Sequence, residues 1–100
     1  MKITRWSAEL KPNYQIISQL FTSEGLEPKE YKISSGAIYS HQKTHLTEII
    51  HIVSGELIFN LSGTQFVLRE GDKLEIPSNT TYAFNNMKEN ECIFLSTQKI

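Results

Sequence analysis

The sequence predicts an all-β domain with one short helix ahead of the strands, and three observations carry that reading. From about residue 25 onward, short runs rich in β-branched and aromatic residues alternate with turn signals containing Gly or Pro. Their close, regular spacing suits a sandwich or barrel and leaves no helical pattern between strands, as a βαβ fold would require. Two of the runs, "EIIHIV" and "CIFL", are apolar at successive positions, so those strands are expected to be covered on both faces.

The elements follow in order. "PNYQIISQLFTSEG" reads as a helix that Pro12 or Asn13 opens and Gly25 closes. Ile16, Ile17, Leu20 and Phe21 form one apolar stripe on it, the mark of a face docked on the rest of the domain. "EYKIS" and "AIYS" are strands with Ser35-Gly36 between them. Ser54-Gly55, between "EIIHIV" and "ELIFNL", is a two-residue hairpin signal, and Ser62-Gly63, before "TQFVLRE", is the same signal again. Gly71-Asp72 breaks to "KLEI", Pro77-Ser78-Asn79 ends that strand, and "TYAFN" and "ECIFL" complete the set.

Composition narrows the function. One hundred residues make one domain, and 39% hydrophobic residues with ten aromatics place it in the ordinary globular class. The formal net charge is -1 with both signs mixed along the chain, which provides no electrostatic footprint for nucleic acid or an anionic membrane. The N-terminal "MKITRWSAEL" lacks an apolar core, and no stretch approaches the ~20 apolar residues of a membrane span, so a cytoplasmic protein is expected. Cys92, the single cysteine, has no internal disulfide partner and lies in the apolar run "CIFL", as a buried reduced thiol does.

Two segments together carry a family likeness. "GAIYSHQKTHLTEIIHIVSG" and "GDKLEIPSNTTYAFNN" resemble the two motifs of the cupins, small jelly-roll β-barrels. Gly36, Glu48 and Gly55 stand at the places of the first motif, and Gly71, Pro77 and Asn86 at those of the second. Asn79 replaces the inner glycine of the second motif and can supply a similar left-handed turn. The resemblance implies a cupin-type jelly-roll barrel over residues 33–100, with residues 1–32 as an N-terminal arm and short helix packed on it. The family's metal-binding positions, carried over one by one, fall on Gln42, Thr44, Glu48 and Tyr82, and only the glutamate keeps its type.

The histidines of "HQKTHLTEIIH" are the other candidate ligands. His41, His45 and His51 are odd-numbered and Glu48 is even, so a continuous strand would separate them onto opposite faces. An extended chain would also hold His41 and His51 ~33 Å apart. A turn near residues 44 to 47, which the resemblance implies, would reset the phase and leave one metal scheme: His41, His45 and Glu48 around a bulge, joined by Tyr82. Zinc, iron, manganese or nickel would be the divalent ion there. His51, between Ile49 and Val53, reads as a packed or interface residue.

Three functions remain open. The leading one is a metal-free cupin with no cofactor that binds a small molecule in the barrel. Gln42, Thr44, Glu48 and Tyr82 would form its polar floor, Tyr39 and Phe84 an aromatic wall, and His45 a further contact. An interior Glu48 needs a cation, a donor or a proton, and Tyr82 and Gln42 are the natural donors. The second is an enzyme, either through the metal or with Glu48 as general base and Tyr82 as general acid, as the resemblance to sugar isomerases, epimerases and dioxygenases allows. The third is an interaction module without chemistry. A homodimer is expected in each case, through Ile49, His51 and Val53 with Trp6 packed across them.

Overall fold

The computed structural model describes residues 1–99. Ile100, the last residue of the expected barrel segment, lies outside the described residues. In chain order the elements are β1 (Lys2–Thr4), α1 (Tyr14–Ser23), β2 (Lys29–Ile33), β3 (Ile38–Thr44), β4 (Thr47–Ser54), β5 (Leu57–Leu61), β6 (Thr64–Leu68), β7 (Lys73–Ile76), β8 (Thr80–Asn85) and β9 (Cys92–Lys99). The strands pair antiparallel in two sheets, ordered β1-β7-β4-β9-β2 and β3-β8-β5-β6. Among the described residues no helix is long and apolar enough to cross a membrane.

The helix forms where its caps allow. The Asn13 side chain accepts a hydrogen bond from the Ile16 amide at 2.9 Å, which satisfies one of the free donors of the first turn. At the other end Gly25 has a φ of 76°, and the Gly25 and Leu26 amides return to the Thr22 and Phe21 carbonyls. Only part of the predicted stripe docks: Ile17 and Phe21 are buried, whereas Leu20 is 45% exposed. Each of the two buried side chains stabilises the docked helix by roughly 1.5–3 kcal/mol.

Alternation along β4 organises the packing. Ile50 and Ile52 point between the sheets, into a cluster with Leu57, Phe59, Leu74 and Phe94. Ile49 and Val53 point the other way, under Ile17 and Phe21 of the helix and beside Leu95. His51 shares that outer face and is 5% exposed, with Trp6 and Phe21 against its ring at 6.3 and 6.2 Å. The surface expected to pair two subunits is therefore covered by the chain's own helix and arm, which corrects that expectation.

The arm is fastened at Asp72. Its carboxylate takes Arg5 Nη1 at 2.7 Å and the Trp6 and Arg69 amides at 3.2 and 2.9 Å. The Trp6 ring lies so close over Gly71 that a Cβ there would meet it at 2.5 Å. Residues 1–32 are thus more than a packed appendage: β1 pairs with β7 and β2 with β9, so the expected boundary at residue 32 cuts through the five-stranded sheet.

The two Ser-Gly signals have different outcomes. Ser62 and Gly63, with φ of 50° and 81°, close the β5–β6 hairpin as predicted. Ser54 and Gly55 do not close a hairpin, because β4 pairs with β7 and β9 while β5 pairs with β6 and β8. They form a corner between sheets, where Gly55 (φ 88°) passes so near β9 that a Cβ would lie 2.8 Å from Cys92 Cα. At a second corner the fully buried Asn86 amide donates to the Ile33 and Asn90 carbonyls and accepts from the Lys88 amide.

Two outcomes follow. Gly55→Ala meets backbone rather than a movable side chain, and a positive φ as well, so urea denaturation should show a loss of about 2 kcal/mol or more. His51 Nε2 lies 2.8 Å from the Gly71 carbonyl and so carries the proton, while burial lowers the ring's pKa below the ordinary 6.5. Below pH 6.5 the unfolded chain takes up a proton that the folded chain does not. Stability is then full above that pH and declines as the pH falls toward the lowered folded value. Urea midpoints should drop between about pH 7.5 and about pH 5.5, and His51→Gln should flatten that slope.

Candidate functional site

The site is assembled from both sheets. Glu48 stands on β4, in phase with Ile50 and Ile52, so its carboxylate faces the space between the sheets. Tyr82 stands on β8 in the opposite sheet, and its phenol donates a hydrogen bond to Glu48 Oε2 at 2.8 Å. This bond spans the two layers. Burial, then the bond to Glu48 and the charge of that residue, push the phenol pKa well above its ordinary 10, so Tyr82 remains a proton-bearing donor at neutral pH. Among the described residues no other donor reaches the carboxylate, and Oε1 is without a protein partner.

A bulge in β3 supplies the next wall. Tyr39 faces Phe84 and Gln42 faces Tyr82 across the β3–β8 ladder, and simple alternation would place residues three apart on opposite faces. The register shifts between them, with His41 in the left-handed region at φ 55°, and both side chains turn to the cavity. Tyr39 stacks on Phe84 with centroids 4.9 Å apart. From β2 and β9, Tyr31 stacks on Phe94 at 5.2 Å. These aromatic pairs enclose a cavity of about 320 Å³ with Glu48 and Tyr82 in its lining. A neighbouring hollow of about 300 Å³ shares Tyr31, Glu48 and Ser96 with it and extends past Lys29.

Of the residues singled out from sequence, the structure gathers Glu48, Tyr82, Gln42, Tyr39 and Phe84 around this cavity. Gln42 is not the donor to Glu48; its amide binds the Ser40 carbonyl at 3.0 Å and so steadies the bulge. Thr44 is removed from the site altogether. Its hydroxyl is buried between the Leu46 and Pro77 carbonyls, at 2.7 and 3.2 Å, where the chain leaves one sheet for the other. His45 is exposed in the β3–β4 connection and His41 is exposed on the bulge. The set His41, His45 and Glu48 therefore does not converge, because the bulge comes before residue 44 and turns only Gln42 inward.

Sequence reading missed Tyr31, Phe94 and Ser96. No local signal marked them, because Tyr31 meets Phe94 only through the pairing of β2 with β9.

The donor set does not fit a transition metal. Of the four positions carried over from the motifs, Thr44 and Gln42 are committed to backbone carbonyls and Tyr82 holds its proton toward Glu48. One carboxylate is left, where such ions take three or four ligands. Among the described residues no three His, Cys, Asp or Glu side chains are grouped to hold an ion.

The family model described as "Cupin domain" matches residues 26–97. The chain belongs to the cupins. No curated protein sequence matches it. Among solved structures, this cupin is similar to a cupin superfamily protein of Desulfitobacterium hafniense, with a TM-score of 0.64, 17% identity, and 71% of this chain and 63% of that one covered. Drosophila melanogaster CENP-C bound to CAL1 aligns with a TM-score of 0.65, 17% identity and coverages of 70% and 62%. The DMSP lyase DddQ of Ruegeria pomeroyi aligns with a TM-score of 0.62, 24% identity and coverages of 67% and 34%. The chain matches less than two thirds of the length of each of these three proteins, and at these identities the likeness is one of fold.

Removing the inter-sheet donor should be mild. Tyr82→Phe keeps the ring packed on Phe59 and Phe84 and deletes only the bond to Glu48. A loss of about 1 kcal/mol in urea, with an unchanged circular dichroism spectrum, is expected.

Proposed function

We propose that this cupin binds a small organic molecule between its sheets, with the Glu48–Tyr82 pair as polar anchor and without a transition metal. The observation that carries the reading is the cavity itself. Its volume of about 320 Å³, its aromatic walls and its single carboxylate, with Oε1 unpaired, are what a pocket for a small ligand requires. The test is a fragment screen read by NMR. Shift changes should gather on Tyr31, Tyr39, Tyr82 and Phe84, and their absence with every fragment would retire the proposal.

The metal-free part is tested separately by thermal melts with zinc, iron, manganese and nickel. An ion present at a hundred times its dissociation constant would add ~2.7 kcal/mol, roughly ten degrees or more in a domain of this size. No such shift is expected.

A second reading rests on the free Oε1 of Glu48. A carboxylate with one oxygen open to the cavity can serve as a general base, and the protonated Tyr82 beside it as a donor to a developing oxyanion. Deuterium uptake from heavy water at the carbon next to the carbonyl of dihydroxyacetone, abolished by Glu48→Gln, would establish it. The interaction-module reading needs a surface other than the helix-covered face of β4. Light scattering giving twice the chain mass would establish the expected homodimer.

A further inference from the structure

The cavity's aromatic rings stand in two orientations. Tyr39 and Phe84 are nearly parallel, at 14°, and Tyr31 and Phe94 are nearly parallel, at 22°. The two pairs meet at a right angle, since Phe84 and Phe94 are inclined at 87° with centroids 6.1 Å apart. Tyr31 and Tyr39 are partly exposed at the mouth, and Phe84 and Phe94 are buried behind them. A compact group entering this corner meets ring surfaces from two directions.

The same cavity holds one carboxylate, that of Glu48. Among the described residues no Lys, Arg or His nitrogen lies within 4.0 Å of that carboxylate. Lys32 and Lys43 also line the cavity; both are exposed, and neither forms an ion pair with Glu48. Lys29 sits at the rim of the neighbouring hollow and forms no ion pair with Glu48. A partly buried carboxylate without a counter-ion is costly, and aromatic faces carry negative potential. Both favour the same guest. An anionic ligand would be opposed by the carboxylate and by the rings.

We infer that the ligand is an organic cation with a compact, apolar-skirted head group, an alkylated ammonium, seated between the Tyr39–Phe84 and Tyr31–Phe94 pairs with Glu48 as its counter-ion. The inference rests on the ligand-binding reading of the cavity and specifies its chemical class. The head group contributes no hydrogen bonds; the rings supply cation–π attraction and Glu48 the balancing charge. Tyr82 holds Oε2, which leaves Oε1 to face the cation.

Choline and its neutral carbon isostere, 3,3-dimethylbutan-1-ol, are the probes, titrated into the full chain with the aromatic ring protons followed by NMR. Choline should shift the rings of Tyr31, Tyr39, Phe84 and Phe94 and bind roughly tenfold or more tightly than the isostere. Glu48→Gln, which preserves shape, should erase most of that preference. Tyr31→Leu, at the mouth and outside the core, should weaken choline more than the isostere and serves as the second variant if Glu48→Gln fails to fold. Equal affinity for the two probes overturns the cation, and a preference for choline that survives both substitutions overturns its seat at Glu48 and the rings. If apolar fragments shift these rings and choline does not, the cation is again overturned while ligand binding stands. If nothing shifts them, both fall.

Discussion

The burial of β4 on both faces is the constraint on which the rest of the structure depends. Its even-numbered side chains enter the space between the sheets, and its odd-numbered ones meet the helix and Trp6. A slip of one residue would exchange Glu48 for Ile49 in the cavity and drive a carboxylate under Phe21, so the register cannot drift. The arm, the helix and the second sheet each close against a face that this strand presents. Its pairing with both β7 and β9 places it in the middle of the larger sheet, where neither edge is free.

The cavity is built by a departure from regularity. In a regular strand Tyr39 and Gln42, three positions apart, would lie on opposite faces, and only one of them could line the cavity. The bulge has its own support, the Gln42 amide on the Ser40 carbonyl, so a position that carries a metal ligand elsewhere in the family now holds backbone geometry. Thr44 likewise serves the backbone, its hydroxyl donating to the Leu46 carbonyl at 2.7 Å with the Pro77 carbonyl 3.2 Å away. What the family motif makes a cluster of ligands has here become one carboxylate, one phenol and a shell of rings.

Much of the fold was legible because it is encoded locally. The helix caps at Asn13 and Gly25, the Ser62-Gly63 hairpin and the left-handed Asn79 at φ 57° each depend on a few neighbouring residues, and each stands where the sequence placed it. The inward direction of Glu48 came from the family likeness, because parity separates the two faces of a strand without marking which is the inner one. The motif spacing of Gly36, Glu48, Gly55, Gly71, Pro77 and Asn86 carried the family, and the match over residues 26–97 agrees with it.

What only the tertiary structure decided is which strand lies beside which, and therefore what each face meets. Ser54-Gly55 and Ser62-Gly63 carry the same local signal, yet one turns a corner between sheets and the other closes a hairpin, because β4 gains more by burial between β7 and β9 than by pairing with β5. The outer face of β4 was expected to meet a second subunit, and the helix of the same chain covers it instead. The histidines drew attention through proximity in sequence, but the bulge leaves His41 and His45 at the surface and turns Gln42 inward. Tyr31 and Phe94 became part of the site only through the pairing of β2 with β9, more than sixty residues apart. By itself the sequence determined turn chemistry, face parity and the glutamate at the centre. The rings around that glutamate come from distant strands, and long-range burial, which no local pattern records, brings them together.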